Sequence, residues 1–378
     1  MARVGLVAGE TSGDLLGGHL ITALKARVTT IQFEGIAGPR MVEAGCCALG
    51  SSDRLAVNGY VEVLSHLPGL LALRRKLTRH FVHSRPDVFV GIDAPDFNFG
   101  LEQKLKQAGI PTVHFVSPSL WAWRGERIHK IKRAVSRMLV VFPFEADIYA
   151  KADIPVSYVG HPLADVLPLE PDQAGARRDL GLPLAGRLVA LLPGSRVGEV
   201  KRLLPALLET ARMLVSARPD LRFVLPVAGK AVWAPIHSLV GPSGLPISLT
   251  NGLSTQAMTA ADVVVLASGT ATLEAALLKK PMVITYRVPG LSYAIMRRQA
   301  YLPWVGLPNI LLRRFAVPEL LQDQATPEAL ARATLAWLDE PQRVTLLKQD
   351  FLALHQTLRC NAAERIAEAL LPYLQNKS

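Results

Sequence analysis

A chain of 378 residues exceeds one usual hydrophobic core, so two domains of roughly 150 to 200 residues are expected. Half of the residues are hydrophobic, yet no run approaches the roughly 18 apolar residues that span a bilayer, residues 4–8 are too short a run for a signal peptide, and three cysteines make no disulfide framework. The net charge of +11 asks for an anionic partner; with aromatics at 6% and no RNA-recognition or zinc-finger motif, nucleic acid is set aside in favour of a membrane surface or a phosphorylated ligand.

In chain order, residues 4–8 predict a first strand, followed by the turn Gly9-Glu10-Thr11-Ser12-Gly13-Asp14 and a helix from about Leu15 to Arg27. This is the strand–glycine turn–helix of a doubly wound α/β domain. The turn lacks both the G-x-G-x-x-G spacing of dinucleotide binders and the G-K-[ST] ending of a P-loop. Glu10 and Asp14 would repel a phosphate, so the turn suits a hydroxyl-bearing acceptor. The alternative is that Glu10 braces the turn and Asp14 caps the helix. Residues 59–81 carry more apolar side chains than one buried stripe needs, among them Val63, Leu64, Leu67, Leu70 and Leu71, with Arg74, Arg75, Lys76 and Arg79 crowding the far end. Pro68-Gly69 interrupts the pattern. Such a basic amphipathic segment can lie in a membrane interface; the alternative is a pair of core-facing helices with a solvated basic edge.

Residues 88–92 form another buried strand, with Asp93-Ala94-Pro95-Asp96 at its C-terminal end, where open α/β sheets bind ligands. Pro95 is expected to hold Ala94 extended. That leaves Asp93 at the sheet edge as a candidate general base and Asp96 as a helix cap. Residues 113–117 repeat the pattern and lead into Pro118-Ser119-Leu120-Trp121-Ala122-Trp123-Arg124, which either packs or lines a sugar or acyl site. The stretch 167–173, rich in Pro and Asp, marks the domain boundary.

The second half restarts the same architecture. Residues 188–192 are a strand, Pro193-Gly194-Ser195-Arg196 a turn and 199–215 a helix; Arg196 is either a diphosphate clamp or a surface arginine. Asp262 to Ala275 reads D-V-V-V-L-A-S-G-T-A-T-L-E-A, a buried strand, a hydroxyl-rich turn at Ser268-Gly269-Thr270 and a helix. The turn offers unpaired N–H groups and a positive helix end to a diphosphate, and Glu274 stands one turn further on for a ribose. An ordinary strand–turn–helix explains the same residues. Asn309, in Leu307-Pro308-Asn309-Ile310, is either a structural amide or a sugar contact. There is no D-x-D, the nine histidines are scattered, and no G-x-S-x-G elbow appears, so neither a metal, a cofactor nor a hydrolase triad is indicated.

Seven stretches in order resemble the lipid-A-disaccharide synthases: V-A-G-E-T-S-G-D at 7–14, V-G-I-D-A-P-D-F-N at 90–98, V-S-P-S-L-W-A-W-R at 116–124, G-H-P-L-A-D at 160–165, L-L-P-G-S-R at 191–196, A-S-G-T-A-T-L-E at 267–274 and L-P-N-I-L at 307–311. The resemblance implies a GT-B fold, two Rossmann-like domains facing across a cleft, with boundaries at 1–168, 169–345 and a helical tail, 346–378, returning to the first domain. It implies inverting, metal-free transfer from UDP-2,3-diacylglucosamine to 2,3-diacylglucosamine 1-phosphate, giving a β-1,6-linked disaccharide phosphate and UDP. By matching position, Asp93 is the base and Glu10 orients the acceptor. Arg196 relieves the leaving diphosphate, Ser268, Gly269 and Thr270 hold phosphate, Glu274 holds the ribose and Asn309 supports activity. Peripheral association with the anionic cytoplasmic face of the inner membrane follows for residues 59–81, with a homodimer left open. The chain departs from the family pattern at Asn58, at Val305-Gly306 and at Leu312-Arg313-Arg314, which bear on acyl preference and loop shape. Two rival readings are another GT-B UDP-sugar enzyme, such as a 2-epimerase, and a non-catalytic membrane-binding protein.

Overall fold

Strands fall where β-branched and aliphatic residues run together without alternation, as parallel sheets covered by helices on both faces require. A computed structural model describes residues 1–9, 11–52, 55, 60–122, 125–290, 293, 298 and 301–374. They divide into two units, Met1–Asp165 with Leu358–Ser378, and Val166–Thr357. The helix Pro341–Leu358 thus stays with the second unit, and the helix Ala362–Leu374 belongs to the first. Asp165 secures that assignment, because its carboxylate accepts the Asn361 and Ala362 N–H groups at 2.9 and 2.6 Å and so caps the last helix.

In the first unit, β1 (Ala2–Ala8), β2 (Ile31–Ala37), β3 (Cys46–Ser51), β4 (Val88–Ile92), β5 (Thr112–Phe115), β6 (Arg137–Val140) and β7 (Val156–Tyr158) form one parallel sheet. Its order is β3-β2-β1-β4-β5-β6-β7. The second unit repeats the plan with β8 (Leu188–Leu192), β9 (Arg222–Val227), β10 (Ile247–Asn251), β11 (Val263–Ala267), β12 (Met282–Tyr286) and β13 (Glu319–Leu321), ordered β10-β9-β8-β11-β12-β13. In each sheet the winding reverses once, between β1 and β4 and between β8 and β11. A reversal leaves a crevice at the strands' C-terminal ends, because the helices on either side depart to opposite faces.

Three expectations change in the structure. The helix after β1 already begins at Thr11, so the glycine turn is tighter than predicted. Asp14 does not cap its own helix: it is 3% exposed and accepts N–H groups from Gly38, Arg40 and Met41 at 2.9 to 3.0 Å, closing the start of the next helix, Pro39–Glu43. Residues Tyr60–Ser84 form one helix running through Pro68. Leu67, Pro68 and Gly69 are all exposed, so the proline ring lies on the open side of the helix.

That helix also sorts the predicted apolar segment. Leu70, Leu73, Leu77 and Phe81, spaced by three or four, pack on Val7, Phe89, Leu101 and Leu105. Leu70 is therefore half-buried against the core rather than a free membrane contact. Leu67 is 41% exposed, Leu71 and Arg74 are half-buried and Arg75 is exposed. The side chains of Val63 and Leu64 lie outside the described residues. Among the described residues no helix is long and apolar enough to cross a membrane.

Candidate active site

In the first unit the predicted base lies at the winding reversal. Asp93 follows β4 at φ 54°, and Ala94 comes next at φ 43°, ψ 53°. Ala94 is thus left-handed rather than extended, and the helix Pro95–Gln107 starts immediately after it. Bonds on both sides hold this turn. The Asp93 N–H donates to Phe115 O at 2.9 Å, and Asn98 Nδ2 donates to Asp93 O at 2.8 Å and to Val7 O at 3.4 Å. Asn98 thereby ties the end of β1 to the end of β4. Gly9 lets the two turns meet, since a Cβ there would stand 2.3 Å from that of Ala94. The Asp93 carboxylate is left half-buried at the sheet edge. Glu10, the predicted helper, lies outside the described residues, as do Trp123 and Arg124.

Beside this edge, the loop after β5 is fastened from below. Trp121 Nε1 donates to Glu145 Oε1 at 3.1 Å, and Phe142 N donates to Glu145 Oε2 at 3.0 Å. Glu145 is 1% exposed, and burial pushes its carboxyl up to about 7 against those hydrogen bonds. Trp121 therefore packs, and Asp96 pairs with Arg127.

In the second unit the ends of β8 and β11 lie side by side, with Leu192 opposite Leu266. The turn after β8 uses Gly194 at φ 108°, a backbone region open to glycine. Arg196 follows at the start of the helix Val197–Ala217, its side chain 59% exposed. Glu199 reaches back so that Oε2 accepts Ser195 N–H at 3.2 Å, while Oε1 stands 3.5 Å from Arg196 Nη1. The turn is held by an internal carboxylate on the residue that sets its cation.

After β11, Ser268 is half-buried, and Gly269 and Thr270 are exposed at the start of the helix Thr270–Leu277, where the first-turn N–H groups lack helical partners. Glu274, one turn in, accepts from Thr255 Oγ1 on the helix Ser254–Ala260. Burial pushes its carboxyl above the usual carboxylate range, while the Thr255 bond opposes the shift. Asn309 is placed differently from a direct sugar contact. It has no exposed surface; Nδ2 donates to Val317 O and Glu319 Oε1 at 2.9 and 2.7 Å, and Oδ1 accepts Ala316 and Val317 N–H at 2.8 and 3.0 Å. Its amide is spent on holding residues 316–319. Glu319 also accepts Val305 and Gly306 N–H at 2.9 Å each, and Ser268 Oγ lies 3.5 Å from Val305 O. Asn309 thus reaches the Ser268 turn through Glu319 and the loop before it.

With this geometry in view, a family profile described as lipid-A-disaccharide synthetase matches residues 4–370. The chain belongs to the lipid-A-disaccharide synthase family. It is 59% identical to the lipid-A-disaccharide synthase of Thiobacillus denitrificans, over 98% of this chain and 99% of that one. It is 53% identical to that of Methylobacillus flagellatus, over 99% and 100%. Membership makes it a glycosyltransferase. Among solved structures it resembles the UDP-GlcNAc 2-epimerase from Neisseria meningitidis bound to UDP-GlcNAc, with a TM-score of 0.67 at 14% identity, covering 98% of this chain and 100% of that one. It also resembles the glycotransferase of kitacinnamycin, with a TM-score of 0.63 at 17% identity, covering 98% and 99%. At such identities the likeness is one of fold: the lipid-A-disaccharide synthase chain has two Rossmann-like units of the GT-B class.

Four residues of this arrangement, Asn98, Thr255, Glu199 and Glu319, are not marked by the sequence. Asn98 reaches Val7, 91 positions away, only through folding, whereas Glu199 braces its own turn locally. No local pattern marks Thr255 or Glu319.

Proposed function

We propose that this chain transfers 2,3-diacylglucosamine from UDP to the 6-hydroxyl of 2,3-diacylglucosamine 1-phosphate, with inversion at the anomeric carbon. One observation supports this above the others: each winding reversal carries its own half of the chemistry, a carboxylate at the first and a cation beside a hydroxyl-rich helix start at the second. Asp93 takes the hydroxyl proton as the acceptor oxygen forms its bond to the anomeric carbon. The bond from that carbon to the diphosphate breaks, and its electron pair leaves with UDP. Arg196 and the first amides of the helix Thr270–Leu277 take up the charge that develops there. Glu274, presented by Thr255, accepts from the ribose hydroxyls. Asn309 acts at one remove, by fixing the loop that meets Ser268. Glu10 is kept as the acceptor-orienting group of the turn after β1.

The substrates carry acyl chains, so the enzyme works at a lipid surface. We place it at the anionic cytoplasmic face of the inner membrane, held peripherally by Leu67, Leu71 and Arg75 of the helix Tyr60–Ser84. The deciding experiment measures UDP release from UDP-2,3-diacylglucosamine in EDTA, with and without acceptor. Acceptor-dependent release is the expected result. Release without acceptor would move the reading to a hydrolase or 2-epimerase.

A further inference from the structure

Residues 275–318 contain seven lysines and arginines and not one Asp or Glu. Lys279 and Lys280 are buried, whereas Arg298, Arg313 and Arg314 are exposed. Arg314 pairs with Asp350 on the helix Pro341–Leu358. No ion pair joins Arg298 or Arg313 to an acid among the described residues. Arg313 is unusual for its place: it closes the helix Leu307–Leu312 at φ 53°, ψ 33°, a conformation that glycine or asparagine adopts more easily. Turn geometry alone selects against arginine there.

Apolar surface accompanies these cations. Phe315, next to Arg314, is 63% exposed and meets Trp304 edge-on, with ring centroids 6.1 Å apart at 70°. Tyr301 is 61% and Val305 44% exposed. A water-facing site for a free anion would not need these side chains in solvent. Aromatic rings beside arginines suit the headgroup level of a bilayer, where the rings enter the interface and the cations meet anionic lipid. The patch borders the phosphate turn through the Val305 carbonyl, close to Ser268 Oγ. We propose that Arg298, Tyr301, Trp304, Arg313 and Phe315 form a membrane-contact surface on the second unit, with an anionic phospholipid bilayer as its partner. From the proposed function it takes only that the donor carries acyl chains.

The test is co-sedimentation of the full chain with phosphatidylcholine vesicles, with and without phosphatidylglycerol. Leu67→Ser/Leu71→Ser serves as background, so that the first unit's helix does not mask the effect. On it, Arg298→Gln/Arg313→Asn should weaken binding to phosphatidylglycerol-containing vesicles roughly tenfold, at low salt only and with no effect on phosphatidylcholine alone. Asparagine suits the left-handed cap, so this variant keeps its fold. Tyr301→Ser/Phe315→Ser should weaken binding on both vesicle types. The idea is overturned by unchanged vesicle binding in both pairs, by equal loss on neutral vesicles for the charge pair, or by a dimer that becomes monomeric in the aromatic pair. UDP release from detergent-dispersed substrates should stay within about twofold of the background. If the unsubstituted chain releases no UDP, the reaction assignment fails and the vesicle result stands on its own.

Discussion

Asp93 and Ala94 both occupy left-handed backbone, at φ 54° and 43°, a conformation that costs a non-glycine residue roughly 1–2 kcal/mol. Asn98 and the Phe115 carbonyl hold them there, and the result is a carboxylate lifted clear of the strand it follows. Asparagine tolerates this backbone well, so Asp93→Asn tests chemistry rather than folding. It should lower kcat by roughly 10²–10⁴-fold and leave UDP affinity, measured by titration calorimetry, unchanged. A kcat within a few-fold of the parent would remove Asp93 as the base. At this scale the sequence was informative where a residue follows its own strand, as Asp93, Arg196 and Ser268 do. It was least informative for partners: Thr255 lies 19 positions from Glu274, and Asn309 is recognisable as a structural amide only once residues 316–319 close around it.

The helix Tyr60–Ser84 shows what periodicity resolves and where it stops. Its leucines exceed one stripe, and the structure assigns the surplus: Leu70 and Leu73 pack half-buried against the core, while Leu67 and Leu71, one turn apart, lie off that stripe. Two opposite outcomes follow from neighbouring residues. Leu67→Ser/Leu71→Ser should reduce binding to anionic vesicles with Tm nearly unchanged. Leu70→Ser should leave vesicle binding intact while removing about 1–3 kcal/mol of stability, read by urea unfolding. Loss of vesicle binding on Leu70→Ser alone, without destabilisation, would reverse the assignment of faces. The sequence could not choose between them because every leucine in the run is equally apolar; the choice belongs to the sheet that the helix covers.

For the whole molecule, Glu145 makes stability depend on pH. Its carboxyl titrates near 7 in the folded chain because of burial, against an ordinary value near 4.3 when unfolded. Between those values the folded state holds the extra proton, so this group's contribution to stability declines as pH rises from about 4.5 to 7 and then levels. Glu145→Gln removes that dependence. The stability difference between the parent and the variant should therefore change by on the order of 3 kcal/mol across that window, the parent losing ground as pH rises. Parallel denaturation profiles from pH 4.5 to 8 would show that this carboxyl ionises at its ordinary value in the folded chain.

By itself the sequence determined the two-unit α/β plan, the strand ends and the family, because buried parallel strands and the turns after them are written in contiguous residues. The reversals β1/β4 and β8/β11 were not readable, since strand order depends on which edges pair after collapse. Tertiary structure alone decided that Asp14 caps a neighbouring helix, that Glu319 braces the loop at Val305 and Gly306 and that Asn309 is spent internally. Each of these depends on a polar group finding, far along the chain, the partner that burial obliges it to have.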